Sequence, residues 1–482
     1  MIVALVGVAA AAAAGRTIDF AAAGGRAGNF TLEAAWHNGR LLNSTLNALA
    51  PGDTLIIGNE TFHTMGGILV TANLSQVTVR LDGTLDFSDD IDAWPRTGPG
   101  SKGRVLECLD FHGGLDRVTF TSSGTGLMRG NGAKWWGIPG IGYLERQENR
   151  PRLFHASSST GVLLEKWDFV QSPYWTVTFD DAYQLEIRQS NIDNRRSPTA
   201  DTHSSIEMTA FNTDGFDVTG SSIWIHHCRV WCQDDTFCIK DDTHDVLVEH
   251  IEASGVGLTI GSIGDSEVSN ITFRNVTMHN TYKGIYTKFR GDGLIRDVLY
   301  EDIVMDAPEQ WAIWVGPAQQ SDSIDLCAAH PCSICWPTDP FSKCNPPANA
   351  TYQNITLRNI AINSPKQWPG VILANAASPM EVPPRTSPPR TSARASGPAG
   401  ASPRSTPFIG QPCPTISAPV ARRASRSTAS PSPARRRARA TTTPAMASGA
   451  AWLRGRPTPS PSVSRTGPTR RCGGQLRAQG KK

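Results

Sequence analysis

The amino-acid sequence predicts an all-β protein with the fold of a parallel β-helix, a solenoid in which each coil adds one strand to the same sheets. Short segments with alternating apolar residues recur along the chain. Their starts are mostly 23 to 27 residues apart, with one spacing of about 38 residues and one of about 57 residues. This spacing fits one coil per repeat, whereas a β-sandwich would turn every ~8–12 residues. Residues 270–276 and 354–360 are near copies of each other. The repeated segments begin at Val162, Leu185, Ile223, Val246, Ile271, Val298 and Ile355.

A short helix is expected to cap the N-terminal end of the solenoid. Residues 31–49 carry Leu41, Leu42, Leu46 and Leu49 at helical offsets and stop at a Pro-Gly pair. The first coil of a solenoid presents unpaired strand edges and an open core, which an amphipathic helix would cover. The first full coil should then begin at residues 54–57.

Composition divides the chain near Met380. Residues 381–482 contain 17 Arg, 2 Lys and one acid, Glu381, so this tail carries +18 and residues 1–380 carry +3 − 18 = −15. The tail also holds 17 of the 34 prolines, and we expect it to be disordered. Its Arg435-Arg436-Arg437 run could bind nucleic acid or acidic pectin, but an unstructured extension that binds no nucleic acid is favoured. A frameshift or a misassigned intron would also produce such a break in composition.

Residues 1–14 resemble a signal peptide. The apolar run Ile2–Val6 precedes six consecutive alanines, Ala9–Ala14, and the stretch is too short to span a bilayer. A secreted, extracellular protein without a membrane anchor is therefore predicted, with residues 15–380 as its β-helix domain. Asn-X-Ser/Thr sequons are compatible with glycosylation and begin at Asn29, Asn43, Asn59, Asn73, Asn270, Asn275, Asn349 and Asn354.

The longest gap between repeats holds a proline-rich insertion with Cys327, Cys332, Cys335 and Cys344. These cysteines could bind zinc, but in an oxidising compartment two disulfides are favoured. The pairing cannot be read from the spacing. We interpret the insertion as a stapled loop, and its position in the chain would let it form a wall of a cleft.

Three aspartates form the candidate catalytic site. Asp214 lies in an Asn-Thr-Asp-Gly-Phe-Asp segment, and Asp234 and Asp235 follow 20 and 21 residues later. Because successive coils of a β-helix lie about 4.8 Å apart, carboxylates offset by one coil should lie side by side. Such crowding raises at least one pKa and allows one carboxyl group to act as an acid and another as a base.

Other polar residues near this segment are assigned weaker roles. Asp217 should face the opposite side of its strand from Asp214 and serve a turn or solvent role. Asp241-Asp242 suggests a solvated turn rather than a calcium site. His226-His227 should place one ring inward and one outward, with a structural rather than a metal-binding role. Lys288 could bind a carboxylate of the substrate.

These motifs resemble glycoside hydrolase family 28, the polygalacturonase family, from about Phe30 to Met380. The resemblance implies a right-handed parallel β-helix that hydrolyses α-1,4 galacturonosyl bonds of pectin with inversion. It also implies Asp234 as general acid, with Asp214 and Asp235 activating water. We expect substrate contacts from Asn212, Gln233, Tyr286 and Lys288. The motifs that carry the resemblance are Gly-Asn-Gly-Ala-Lys-Trp-Trp at 130–136, Gln-Ser-Pro-Tyr-Trp at 171–175, Asn-Thr-Asp at 212–214, Gln-Asp-Asp at 233–235 and Gly-Ser-Ile-Gly at 261–264.

The chain departs from the family pattern at two positions. Val256 in Gly-Val-Gly stands where the family usually has histidine, and Tyr286 in Tyr-Thr-Lys stands where it usually has arginine. Val256 cannot hydrogen-bond through its side chain, and Tyr286 lacks the planar fork that binds a uronate bidentately. The aspartates predict hydrolysis, while the two changes leave open an exo-acting or rhamnogalacturonan-directed enzyme.

Two alternatives stay open. A pectate-lyase-like enzyme would cleave by β-elimination with Ca²⁺, although the Asn-Thr-Asp motif at 212–214 argues against it. A β-helix with a decayed site would bind carbohydrate without cleaving it. The favoured prediction is a monomeric hydrolase acting on pectic polysaccharide, with no cofactor and no metal.

Overall fold

The computed structural model describes residues 15–98, 103–137, 149–197, 210–320, 327–339, 341–367 and 370–373. The chain divides into two compact units, Met1–Arg390 and Thr391–Lys482, and everything described belongs to the first. The predicted signal peptide at 1–14 and the predicted tail at 381–482 lie outside the described residues.

The first unit is the predicted parallel β-helix, in which 25 strands form one continuous sheet. Its strands follow three faces. The first face contains β4 (Ile68–Val70), β8 (Leu109–Phe111), β17 (Phe237–Ile239), β19 (Leu258–Ile263), β21 (Ile285–Phe289), β23 (Ile313–Pro317) and β27 (Gly370–Ile372). Long strands begin on this face, turn a corner and continue onto the second; these are β12 (Phe154–Glu165), β14 (Val177–Arg188) and β16 (Phe216–Trp231).

The second face holds short strands at the N-terminal end and long strands after them. The short strands are β1 (Thr17–Asp19), β2 (Thr54–Ile57), β6 (Thr78–Leu81) and β10 (Thr119–Thr121), with β5 (Leu74–Ser75) and β9 (Leu115–Asp116) at its corner with the first face. The later long strands are β18 (His244–Ser254), β20 (Glu267–His279), β22 (Leu294–Asp306) and β26 (Thr351–Asn363). The third face holds β3 (Thr61–Thr64), β7 (Thr84–Phe87), β11 (Gly126–Arg129), β13 (Trp167–Val170) and β15 (Asn191–Asp193), followed by the ends of the long strands.

The predicted repeats are the rungs of the second face. Each of the seven residues that begin a repeat pairs in register with the next, from Val162 through to Ile355. These positions point into the core, where Ile271 and Val298 are buried. The sequence period is visible because every coil returns an apolar side chain to the same interior column.

The near-copy repeats also reflect the corners between faces. Asn270, Asn275, Asn354 and Asn359 all have left-handed backbone conformations, with φ between 50° and 55°. Asparagine tolerates this conformation better than most residues. The side chain of Asn354 donates to Asp297 Oδ1 at 2.8 Å, one coil earlier. Stacked corners therefore select asparagine or aspartate at equivalent positions of successive coils, such as Asn270, Asp297 and Asn354.

The predicted capping helix is α1, Leu32–Asn47. Thr31 is its N-cap and accepts a hydrogen bond from Ala34 N at 3.2 Å, which satisfies one of the free amides of the first turn. Leu42 and Leu46 are buried, and the helix packs against β3 and β4 while β1 pairs with β2. A Cβ atom on Gly39 would lie 2.5 Å from Met65 O, so glycine permits this close packing.

The proline-rich insertion is stapled by the disulfides Cys327–Cys335 and Cys332–Cys344. Its backbone adds a separate two-stranded sheet formed by β24 (Gln319–Gln320) and β25 (Cys332–Ser333). The prediction of two disulfides is confirmed, and the four sulfurs are therefore not available to bind zinc. No helix within the described ranges is long and apolar enough to cross a membrane.

Candidate active site

The candidate active site lies where strands of the first face begin. Phe216, Phe237, Leu258 and Ile285 pair in register on successive coils. Two residues before each of them stand Asp214, Asp235, Val256 and Lys283. We call these four residues the active-site column. The column explains why aspartates that are distant in sequence become neighbours, since the β-helix brings equivalent turn positions within one strand spacing of each other.

The three predicted catalytic aspartates come together. One carboxylate oxygen each from Asp214, Asp234 and Asp235 lies within 4.8 Å of the other two. Inverting glycosidases usually hold acid and base carboxyl groups roughly 6.5–9.5 Å apart, which is wider than the spacing of these nearest oxygens. A water that hydrogen-bonds two oxygens at about 2.8 Å from each can still bridge a gap of up to about 5.6 Å.

Hydrogen bonds orient Asp234 and Asp235 differently. Asp234 Oδ2 accepts from Asn212 N at 2.9 Å, and its Oδ1 accepts from Asp235 N at 2.8 Å. Asp235 Oδ1 accepts from Thr259 Oγ1 at 2.6 Å, and its Oδ2 accepts from Lys288 Nζ at 2.7 Å. The ammonium group of Lys288 stabilises Asp235 as a carboxylate.

Burial and mutual repulsion raise two pKa values in the cluster. Burial, followed by the charge of Asp235, raises the pKa of Asp234 to about 6. Burial, followed by the charges of Asp217, Asp234 and Asp235, raises the pKa of Asp214 well above its usual range. The carboxyl groups therefore retain protons at a pH where isolated aspartates are ionised, which suits a proton donor.

Asp217 belongs to this cluster, and the expectation of a turn or solvent role is wrong. Its side chain is fully buried, and its Oδ1 lies 2.8 Å from Lys240 Nζ. A carboxylate oxygen of Asp217 is also within 4.8 Å of one of Asp214. The strand alternation used in the prediction does not apply, because β16 starts only at Phe216 and Asp214 lies in the preceding turn. Lys240 was not anticipated and supplies the compensating charge.

The predicted substrate-binding residues have different environments. Tyr286 and Lys288 line a cavity of about 130 Å³ beside Asp234, and Asn212 contacts Asp234 directly. Gln233 is fully buried and offers no surface to a ligand, so we no longer assign it a substrate contact. Lys288 reaches the cavity, but its ammonium group faces Asp235.

The wall of this cavity contains residues that sequence reasoning missed. Lys283, Tyr282 and Gln310 line it together with Val256. From the stapled insertion, Ile334 also lines it, so the insertion forms a wall of the cleft as expected. Two of the lining residues, Val256 and Tyr286, belong to a small apolar cluster with Trp311, Trp314 and Cys332.

The coils on the N-terminal side of the aspartates carry an aromatic ring and several charged side chains. Trp175 lies under Lys240, whose Nζ is 4.1 Å from the ring centroid. His155 bridges Asp110 at 2.8 Å and Asp180 at 2.9 Å. Burial alone would lower the pKa of His155, but these two hydrogen bonds raise it to about 9. An aromatic ring flanked by fixed charges suits a polar, charged polymer.

Two sequence motifs that carried the family resemblance pack against each other. Trp136 Nε1 donates to Ser172 O at 2.9 Å, and Gly132 N donates to Gln171 O at 2.7 Å. A Cβ atom on Gly132 would lie 2.5 Å from Ser172 O. The motifs at 130–136 and 171–175 thus have a structural basis, which is close contact between neighbouring coils.

The histidine pair lies away from the active site. The Nδ1 atoms of His226 and His227 are 2.7 Å apart, and His226 stacks on Trp224 with a centroid distance of 3.8 Å. His226 is buried and His227 is exposed, so the two rings differ in burial as expected. His227 has a φ of 55° and turns a corner of the β-helix. Asp241-Asp242 forms the expected turn, and Asp241 Oδ1 accepts from Gly264 N.

Judged only by the distances between its carboxylate oxygens, the acidic cluster could also bind a cation. The oxygens of Asp214, Asp234 and Asp235 meet the spacing required for a shared ion. The ammonium group of Lys288 is already paired with Asp235, and that of Lys240 is paired with Asp217, which lies beside Asp214. This pairing favours acid and base roles for the aspartates.

A larger cavity of about 460 Å³ lies on the third face. Its charged side chains form ion pairs, Arg195 with Asp193 and Arg229 with Glu252 at 3.1 Å. It contains no cluster of carboxyl groups comparable to that around Asp214 among the described residues. The catalytic chemistry is therefore assigned to the smaller cavity on the first face.

Comparisons with known proteins identify the family of the chain. The model of glycosyl hydrolases family 28 matches residues 54–316, more than half of the chain. A "Probable exopolygalacturonase B" of Aspergillus fumigatus is 26% identical over 356 residues, covering 67% of this chain and 76% of the relative. A "Probable endopolygalacturonase C" of Aspergillus niger is 29% identical over 255 residues, covering 50% and 63%.

Solved structures support the fold. Endo-xylogalacturonan hydrolase from Aspergillus tubingensis has a TM-score of 0.55 at 17% identity, covering 75% of this chain and 96% of that one. Polygalacturonase from Erwinia carotovora ssp. carotovora has a TM-score of 0.52 at 16% identity, covering 77% and 97%. With the family match over residues 54–316, the conclusion is that this chain belongs to glycosyl hydrolases family 28 and is a polygalacturonase-like glycoside hydrolase.

Proposed function

We propose that the protein hydrolyses galacturonosyl bonds of pectic polysaccharides, with Asp234 as general acid and Asp214 and Asp235 as the groups that hold and deprotonate water. The observation that carries this proposal is the meeting of three carboxyl oxygens within 4.8 Å beside an open cavity. Asp234, whose pKa is raised to about 6, can supply a proton, and the carboxylate of Asp235, paired with Lys288, can accept one, as glycosidic cleavage requires.

The proposed reaction is a single displacement. Asp234 gives its proton to the glycosidic oxygen, and the bond from that oxygen to the anomeric carbon breaks. Water bound between Asp214 and Asp235 attacks the anomeric carbon, and the proton that it loses passes to Asp235, the carboxylate that is paired with Lys288. The new reducing end has the opposite anomeric configuration to the bond that was cleaved.

We further propose exo action. Gln319, at the start of the stapled insertion, and Ile334, within it, line one side of the 130 Å³ cavity, where they would form a wall against a polymer continuing in that direction. The relative from Aspergillus fumigatus is named as a probable exopolygalacturonase. Sizing the products of polygalacturonate and rhamnogalacturonan digestion tests both the substrate and the mode. Short products with a slow fall in viscosity are expected from polygalacturonate; a rapid fall in viscosity would contradict exo action.

The alkaline side of the pH profile should follow Asp234. Because the general acid must carry a proton and the pKa of Asp234 is raised to about 6, kcat/KM should fall as the pH rises through about 6. The measurement is kcat/KM on polygalacturonate across a pH series, with binding measured at each pH. Constant kcat/KM up to about pH 8 would remove Asp234 from the acid role.

The same digestion separates hydrolysis from β-elimination. Elimination would leave an unsaturated sugar that absorbs ultraviolet light, and hydrolysis would release reducing ends without that absorbance. Binding to polygalacturonate without new reducing ends would instead favour a non-catalytic role.

Secretion as a monomer is proposed together with this activity. The apolar segment at 1–14 supports export, and an extracellular enzyme would meet its polymeric substrate directly. N-terminal sequencing of protein from culture medium and its elution volume in gel filtration test these two points.

A further inference from the structure

The cavity beside Asp234 contains a buried lysine that the proposed reaction does not use. Lys283 is 5% exposed and occupies the fourth position of the active-site column. Its ammonium group donates a hydrogen bond to Gln310 Oε1 at 3.1 Å. Within the described parts of the chain, no carboxylate oxygen lies within 4.0 Å of its Nζ.

The two other lysines of the site have carboxylate partners. Lys240 Nζ lies 2.8 Å from Asp217 Oδ1, and Lys288 Nζ lies 2.7 Å from Asp235 Oδ2. Lys283 differs because its nearest strong acceptor is a neutral amide. An ammonium group buried without a counterion costs free energy, so its presence beside a cavity calls for an anion that arrives from outside.

Aromatic rings explain how the charge is tolerated in the free protein. Lys283 Nζ lies 4.7 Å from the ring centroid of Tyr286, 5.3 Å from Tyr282 and 5.9 Å from Trp314. These cation–π contacts stabilise the ammonium form. These contacts do not fully offset the free-energy cost of burying the charge, because burial, followed by the charge of Lys288, lowers the pKa of Lys283 to about 7. A bound carboxylate would stabilise the charged form.

We propose that Lys283 binds the carboxylate of the uronic acid unit next to the scissile bond and thereby selects a free uronate over its methyl ester. This inference rests on the proposed function, since it places the ligand beside Asp234. Lys283, Lys288 and Asp234 line the same cavity. Val256, the column position between Asp235 and Lys283, has no polar side-chain atom and leaves the anion to Lys283.

This assignment differs from the expectation for Lys288. The charge of Lys288 is already balanced by Asp235, which is 3% exposed. A substrate carboxylate near Lys288 would also approach Asp235 and be repelled by it. Lys283 offers its remaining N–H donors to the cavity without such a competing carboxylate at contact distance.

The test compares trigalacturonate with its methyl ester in binding to an Asp234→Asn parent, which keeps both ligands intact. Lys283→Met in this parent should weaken trigalacturonate binding by about tenfold or more, the effect of losing a charge-assisted hydrogen bond. Binding of the methyl ester should change by less than about twofold. Lys166→Met, which removes a lysine at a distant corner, is the matched control and should change neither. Titration calorimetry supplies the dissociation constants.

Three results would overturn the proposal: equal weakening for both ligands, unchanged trigalacturonate binding, or no trigalacturonate binding by the parent. The parent could bind trigalacturonate more tightly than its methyl ester while the unmodified enzyme hydrolyses nothing. This result would refute the proposed function but would still support a carboxylate site at Lys283. Lys283→Met should fold with an unchanged or higher melting temperature, because it removes a buried unpaired charge. If Lys283→Met does not fold, Lys283→Gln replaces it, and the same changes in the binding of the two ligands are expected.

Discussion

Asp234→Asn should abolish hydrolysis of polygalacturonate while binding survives. The substitution removes the proton that the leaving oxygen requires. Asn212 N and Asp235 N donate hydrogen bonds to the two carboxylate oxygens of Asp234. The single side-chain oxygen of the asparagine can still accept one of them. Loss of a general acid lowers kcat by about 10²–10⁴-fold. Reducing-end assays give kcat, and titration with an oligogalacturonate gives the dissociation constant.

The matched control for this prediction is Asp242→Asn, the same chemical change at an exposed turn. It should leave both kcat and binding unchanged. Turnover of Asp234→Asn equal to that of the unmodified enzyme would refute the acid assignment. Loss of binding together with turnover would show that Asp234 mainly shapes the site.

Lys240→Met should destabilise the fold strongly, and Asp217→Asn should reverse much of that loss. The single change leaves the fully buried Asp217 carboxylate without the ammonium group 2.8 Å away. Removing one partner of a buried ion pair costs about 3–5 kcal/mol. The double variant removes both charges and should regain most of the free energy of unfolding. Denaturant titration of the single and double variants measures the coupling between the two positions.

An exposed pair provides the comparison. Arg229 and Glu252 are 3.1 Å apart, but their side chains are 72% and 53% exposed. Arg229→Met should therefore change the free energy of unfolding little. If Lys240→Met behaves like Arg229→Met, or if Asp217→Asn gives no rescue, the ion pair does not have the stabilising role assigned to it.

Much of the fold could be predicted because a β-helix repeats its interior. Val162 and the six repeat starts after it occupy one paired row. The capping helix was predicted at 31–49 and observed at Leu32–Asn47, since its leucines had to cover the same core. The long spacing of 57 residues between Val298 and its partner Ile355 reflects the stapled insertion between them.

The active-site column was only partly predictable. Asp214, Asp235 and Val256 are each 21 residues apart, since 235 − 214 = 256 − 235 = 21, but Lys283 follows after 283 − 256 = 27. The longer turn before β21 hid its place in the column. Strand pairing of Leu258 with Ile285 reveals it. Turn length is set by local backbone conformation, which apolar periodicity does not report.

Asp217 was missed for a related reason. Alternation assigns faces only within a strand, and Asp214 lies in the turn that precedes β16. To predict the ion pair between Asp217 and Lys240, one would need both the register of neighbouring coils and the directions of the two side chains. Val256 in place of the usual histidine lies next to Lys283 of the adjacent coil, a proximity that depends on the register of the two coils.

The most direct test of the proposed single displacement is the anomeric configuration of the first product. Proton NMR of a polygalacturonate digestion, recorded before mutarotation equilibrates the new reducing ends, distinguishes inversion from retention. Direct attack by water held between Asp214 and Asp235 predicts the β-anomer from an α-linked substrate. Initial release of the α-anomer would indicate a covalent intermediate, and an unsaturated end would indicate elimination; either result would contradict the roles assigned to the three aspartates.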